Sequence, residues 1–204
     1  MDWKRTGLRL AWAVAACAFL GFGAVGEAAP AKGKGPAEES VRHPAIRQID
    51  GEVDAAAVRR IEMHRAKLPE KYRRRNNFAW AVAKIEGVGK VEYYAHSGIQ
   101  TMGKLSKDAA EEIEHISLRP KKGRFEVLCV NHEDKVDGPD CWPRHVDTEY
   151  KILEEMARRI EDPAAAGRVL LYTDLYPCAS CRHVMRQFLA AYPQVELKVL
   201  YRER

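Results

Sequence analysis

The sequence predicts an α/β fold, a mixed sheet with helices packed against it. Three observations carry that prediction. Residues 148–160 place Glu149, Ile152, Leu153, Met156, Ala157 and Ile160 on one helical face, with Glu154, Glu155, Arg158 and Arg159 largely on the other. The runs 169–173 and 195–201 read as strands, and the helical segment 178–191 between them makes a crossover that implies parallel pairing. Residues 78–85 and 91–96 flank Gly87-Val88-Gly89 and read as an antiparallel hairpin.

The remaining elements follow in chain order. Lys4, Arg5 and Arg9 precede an apolar run over 10–25, and Gly26-Glu27-Ala28-Ala29-Pro30 offers small residues at cleavage spacing. That is the layout of a signal peptide over 1–29, which implies a secreted or periplasmic protein. The apolar run falls short of the roughly 20 residues a membrane span needs, so no stable span is expected after cleavage. Val14-Ala15-Ala16-Cys17 offers an alternative, a lipid anchor through Cys17. Residues 30–50 are rich in Ala, Gly, Lys, Pro and Glu and read as a flexible linker. The domain is expected over 51–204.

Within it, Asp54 is placed to cap a helix bearing Ala57, Val58 and Ile61, ended by Pro69. Lys71-Tyr72-Arg73-Arg74-Arg75 is either a solvated basic loop or a phosphate-facing patch, and the smaller cluster Lys121, Lys122 and Arg124 carries the same choice. Residues 108–116 read as a short helix or an irregular segment, 125–130 as a strand and 131–144 as a loop. No internal repeat is visible, which sets solenoid architectures aside. The formal net charge of +5 permits an anionic partner without demanding one. Of five cysteines, Cys17 lies outside the expected domain. Cys129 and Cys141 could bridge the loop between them; the preferred reading leaves them unlinked.

Pro177-Cys178-Ala179-Ser180-Cys181 opens the helix that follows the apolar strand. Sulfurs at i and i+3 on a first helical turn can aim at one point, which suits zinc. A catalytic zinc takes three protein ligands and keeps one position open. Asp147 is the expected third ligand, with Glu149 placed to carry protons. A rival frame makes His145 the ligand and Asp147 the proton carrier. Three and four residues beyond Glu149 stand Ile152 and Leu153, both apolar, whereas Asp147 is followed at that spacing by Tyr150 and Lys151. Helical periodicity therefore favours Asp147 as ligand.

Asp147-x-Glu149 and Pro177-Cys178-x-x-Cys181 together resemble the zinc-dependent nucleoside and nucleic-acid deaminases, whose usual signature is H-x-E followed by P-C-x-x-C at two helix starts. The letters Asp147-Thr148-Glu149-Tyr150-Lys151-Ile152-Leu153-Glu154-Glu155 and Leu171-Tyr172-Thr173-Asp174-Leu175-Tyr176-Pro177 look most like bacterial secreted and toxin-type deaminases. The resemblance implies a three-layer cytidine deaminase-like fold and a Zn2+ site of Asp147, Cys178 and Cys181. It implies hydrolytic removal of an exocyclic amine, with Glu149 as the catalytic proton carrier. By the same analogy Asn77, and His96 or Ser97, would line the base pocket, and with Asp147 as ligand His145 becomes a neighbouring substrate-pocket residue. That substrate would be cytosine in nucleic acid, or a nucleoside or nucleotide, and a toxin would have an immunity protein as partner. Asp in place of the usual His adds negative charge beside two thiolates, which should make a bound water less acidic. Two other classes compete: an inactive deaminase-fold module that binds zinc or nucleic acid, and a C-x-x-C thiol-disulfide oxidoreductase. The second leaves Asp147 and Glu149 unused and has too little chain after Cys181 for a thioredoxin sheet.

Overall fold

The computed structural model describes residues 41–202. The expected signal segment, Cys17 and the linker up to residue 40 lie outside the described residues. In chain order the strands are β1 (Ala45–Gln48), β2 (Phe78–Ile85), β3 (Glu92–His96), β4 (Cys129–Val130), β5 (Trp142–Pro143), β6 (Gly167–Thr173) and β7 (Val195–Tyr201). The helices are α1 (Ala55–Ala66), α2 (Glu70–Arg73), α3 (Lys107–Glu112), α4 (Thr148–Arg159) and α5 (Ala179–Ala191), with a 3-10 turn at Met102–Lys104.

Five strands form one mixed sheet in the order β1-β7-β6-β2-β3. β1, β7 and β6 run parallel, and β2 pairs antiparallel with both β6 and β3. Alternation along β2 sorts its side chains to two cores. Ala79, Ala81, Ala83 and Ile85 join Ile152, Leu153 and Met156 of α4 and Val184, Met185 and Phe188 of α5. Phe78 and Trp80 join Ile61 of α1, Leu68, Ile113 and Ile116 on the other face. The result is three layers, the mixed sheet between helices, as the sequence predicts. A slip of one residue in β2 would exchange the two sets, so two buried faces fix its register. The alanines bring α4 close to the sheet.

Four expectations change. First, the last part of the expected linker is a strand. Ala45–Gln48 pairs with β7, Ile46 packs against the core, and Arg47 makes a two-pronged pair with Asp54 at 2.7 Å on each nitrogen. Asp54 does sit at the N-cap of α1, but its carboxylate is spent on Arg47 and on Asp50 N–H, and it caps nothing. Second, the strand expected over 125–130 shrinks to Cys129–Val130. The preceding backbone is taken up by side chains: Arg124 and Phe125 N–H donate to the Glu154 carboxylate, Glu126 N–H to Gln187, and Leu128 N–H to Ser180. Third, the loop after it holds β5, which pairs antiparallel with β4. Fourth, Cys129 and Cys141 are disulfide-bonded, with Cα atoms 5.3 Å apart. The β4–β5 pairing sets them side by side, a proximity that loop composition does not reveal.

Gly167 opens β6 where the sheet leaves no room for a side chain. A Cβ there would stand 2.6 Å from the Lys84 carbonyl oxygen and 2.8 Å from Ile85 Cα, both backbone atoms. Gly167→Ala should therefore destabilise the domain by about 1–3 kcal/mol, as overpacked sites do. A thermal melt should show a fall of about 2–4 °C for each kcal/mol. An unchanged melting temperature would show that the β2–β6 contact is looser than described.

Candidate metal centre and active site

Two helix starts meet on the α4–α5 side of the sheet. Asp147 is the N-cap of α4 and Cys178 the N-cap of α5. Asp147 Oδ2 lies 3.3 Å from Cys178 Sγ and 3.3 Å from Cys181 Sγ, and the three donor atoms fall within 4.8 Å of one another. Asp147 makes no capping bond with its own helix, so its carboxylate is turned to the sulfurs. The Cys181 thiol is pushed well above its ordinary range by the adjacent Cys178 sulfur, by burial, and by the Glu149 and Asp147 carboxylates. A divalent cation among the three donors would reverse that balance. Two sulfurs and a carboxylate oxygen at converging helix N-termini fit a zinc ion with one position left open. A second cluster, Cys129, Asp137 and Cys141, is close in space, but its sulfurs are joined to each other and are not thiolate donors.

Glu149 is buried beside this centre. Thr148 Oγ1 donates to its Oε2 at 2.8 Å, and Thr173 Oγ1, from the end of β6, donates to its Oε1 at 3.0 Å. Both hydroxyls in turn accept from Asn77 Nδ2 at 2.8 Å. The directions form one chain, from amide to hydroxyls to carboxylate. Burial pushes Glu149 above the usual carboxylate range, and the Asp147 charge adds to the rise. The backbone and the two threonines oppose it by favouring the ionised form.

A cavity of about 780 Å³ opens onto these groups. Asp147, Glu149, Cys178 and Cys181 line it together with Asn77, Ser97, Trp142, Arg144 and Tyr176. Asp174, buried just before the cavity residue Leu175, pairs with Arg65 of α1 through two bonds of 3.1 and 2.7 Å and accepts from Phe78 N–H and Tyr172 Oη. Arg144 stands 3.9 Å from Asp147 Oδ1 and stacks on Trp142 at 4.0 Å.

Asp147, Cys178, Cys181, Glu149, Asn77 and Ser97 are thus brought to one place. His96 and His145 are not among the residues that line the cavity. His96 is fully buried; its Nδ1 accepts from Gly98 N–H at 3.1 Å, so Nε2 carries the proton to the Arg75 carbonyl at 2.9 Å. Burial keeps it below the usual histidine range. His145 packs edge-on against Tyr150 at 5.8 Å and is not one of the three converging donors. Asn77 lines the cavity but spends its side chain on Thr148, Thr173 and the Leu175 N–H. The periodicity used to choose between Asp147 and His145 does not discriminate. Every residue of α4 from Thr148 to Ala157 is buried, Tyr150 and Lys151 included.

Sequence reasoning missed Thr148, Thr173, Arg144 and Lys151. The threonines carry a weak signal, one beside Glu149 and one at the end of an apolar strand. Lys151 carries none. Its Nζ donates to the His96 and Ile99 carbonyls at 2.9 and 2.8 Å and holds the loop that bears Ser97. Burial pulls its pKa down to about 7. An unfolded lysine titrates near ~10.4, so between about pH 7 and 10 the unfolded chain binds more protons than the folded one. Stability from this residue therefore rises with pH across that window. Wild type should gain on Lys151→Met by up to about 1.4 kcal/mol per pH unit between pH 7.5 and 9.5, read from urea unfolding. A gap that does not change with pH would refute the buried titration.

No curated protein and no solved structure matches the chain. Residues 61–203 match the family model for toxin deaminases described as the BURPS668_1122 family of deaminases. The match takes in the hairpin, both helix starts and every strand of the five-stranded sheet except β1. On that match the chain belongs to the BURPS668_1122 family of toxin deaminases.

Proposed function

We propose that the protein is a zinc-dependent hydrolytic deaminase that converts cytosine in nucleic acid to uracil, releasing ammonia, and that it acts as an exported toxin. The observation that carries this reading is the convergence of Asp147, Cys178 and Cys181 beside a buried, hydrogen-bonded Glu149. Asp147, Cys178 and Cys181 would hold the zinc ion. When bound, it supplies a Lewis acid that makes water acidic near neutrality. Glu149 takes a proton from the attacking water as the oxygen adds to the ring carbon bearing the amine. It passes that proton to the ring nitrogen, then takes the remaining proton from the added hydroxyl and gives it to the amine, which leaves as ammonia when the C–N bond breaks. Thr148 and Thr173 keep both carboxylate oxygens in place during these transfers, and Asn77 keeps the threonines in place. The basic and apolar layout of residues 1–29 supports export, and an exported toxin calls for an immunity protein in its producer. Among the described residues no helix is long and apolar enough to cross a membrane.

Glu149→Gln should lower kcat on the preferred base by about 10²–10⁴-fold while zinc content, measured by atomic emission, stays at the wild-type value. Asp147→Ala should instead lose zinc. Products are read by mass spectrometry as replacement of an amine by oxygen. Equal ammonia release by wild type and Glu149→Gln on every base, with zinc still bound, would end the proposal.

A further inference from the structure

The basic run Lys71, Arg73, Arg74 and Arg75 has no part in the chemistry above, yet the fold holds it firmly. All four residues are exposed along α2 and the turn after it. Arg73 Nε donates to the Leu68 carbonyl at 2.7 Å. Tyr72 packs edge-on against the buried His96 ring at 5.1 Å, and that ring donates to the Arg75 carbonyl. A solvated charge run needs no such anchor. Among the described residues, none of the four cations is in an ion pair. All four edge one hollow together with Glu70, and Arg73 and Arg74 also edge a second with Glu62, Arg65 and Arg202.

The ridge also leads somewhere. Arg75 is followed by Asn76 and Asn77, both of which line the catalytic cavity. Asn76 takes a positive φ of 58° there, so the chain turns sharply between ridge and cavity. Tyr176, on the same cavity, is 52% exposed. Its ring is held by Tyr201 edge-on at 5.0 Å and by the Arg182 guanidinium at 5.5 Å. A fixed, exposed ring on the cavity offers a stacking face, and cations outside any ion pair that lead to the same cavity offer phosphate contacts.

We propose that Lys71, Arg73, Arg74 and Arg75 form a phosphate-binding ridge, with Tyr176 as a stacking shelf, that seats the strand flanking the base in the cavity, so that the enzyme acts on single-stranded nucleic acid rather than on free nucleosides. The inference rests on the base-deaminase reading. Continuity with the catalytic cavity favours a substrate strand over an acidic protein partner as occupant.

The test is anisotropy of a fluorescent oligo-deoxycytidine and of its RNA counterpart on the zinc-loaded protein, over a series of salt concentrations. Neither the Arg74 nor the Arg75 side chain makes a described hydrogen bond, so Arg74→Glu/Arg75→Glu should fold as wild type, checked by circular dichroism. It should bind the strand at least tenfold more weakly. Its log affinity should depend less steeply on log salt, by about 1.4 for two lost phosphate contacts. Tyr176→Ala should weaken binding without changing that slope. Lys121→Glu/Lys122→Glu, which alters the other basic cluster, should do neither. Strand affinity and slope unchanged in Arg74→Glu/Arg75→Glu would overturn the proposal, as would wild type binding the strand no better than cytidine monophosphate. Because the readout is binding, it stands apart from the chemistry. Ridge-dependent binding without deamination would sink the catalytic reading alone, and nucleoside deamination without ridge-dependent binding would sink this one alone.

Discussion

The site depends on one packing constraint: the starts of two helices far apart in sequence must arrive side by side. α4 and α5 lie in the same core against the same sheet face, where Ile152, Leu153 and Met156 share a cluster with Val184, Met185 and Phe188. That packing is what leaves Asp147 Oδ2 at 3.3 Å from both sulfurs. The arrangement is electrostatically demanding, since two carboxylates and two sulfurs occupy one partly buried spot. Three features answer it. The positive ends of both helices point at the cluster. Arg144 approaches Asp147 to 3.9 Å. Lys151 lies behind, and the Asp147 charge favours its protonated form even as burial works against it.

The segment between β4 and β5 is tied to both helix starts. Asp134 accepts from Ala179 N–H at 2.5 Å and pairs with Arg182 at 2.8 Å, so a residue of this flap caps α5. Arg144, just after β5, reaches toward the cap of α4. The Cys129–Cys141 disulfide closes the segment, and a covalent closure removes much of the freedom an open loop of that length would have when unfolded. Trp142 stands next to the bond and on the cavity, so the same closure limits where one wall of the cavity can lie.

Much of the scaffold was legible because it rests on periodicity. β2, β7, α4 and α5 fall within a residue or two of their predicted bounds, and two short motifs were enough to place Asp147, Cys178, Cys181 and Glu149 together. What could not be read depends on contacts between distant segments. β1 is four residues of unremarkable composition and exists because β7 presents an edge to it. Residues 125–130 read as a strand, but the N–H groups of Phe125, Glu126 and Leu128, like that of Arg124 before them, bond to side chains of α4 and α5. The buried Lys151 breaks the expectation that charge marks the outer face of a helix, because the carbonyls of His96, at the end of β3, and of Ile99, just beyond it, accept its hydrogen bonds. His96 matched the analogy in position but not in role, since both ring nitrogens are taken by backbone.

The network around Glu149 shows why the site is polar to its interior and not merely at its surface. A buried carboxylate with no donors would be driven toward its neutral form, which cannot accept a proton. Asn77 spends both amide hydrogens on hydroxyls that each have one hydrogen to give, and both go to Glu149. Every donor in that chain is used in a single direction, so the carboxylate is both oriented and kept receptive. Loss of either threonine hydroxyl would strand an Asn77 hydrogen and take one donor from the Glu149 carboxylate at once, and in a buried setting the two losses reinforce each other. Asn77 also accepts from the Leu175 N–H, so the same residue ties Glu149 to the loop that leads into Cys178. The Glu149 carboxylate and the Cys178 and Cys181 sulfurs are thereby held in one frame by hydrogen bonds that loss of a single side chain would weaken at both ends.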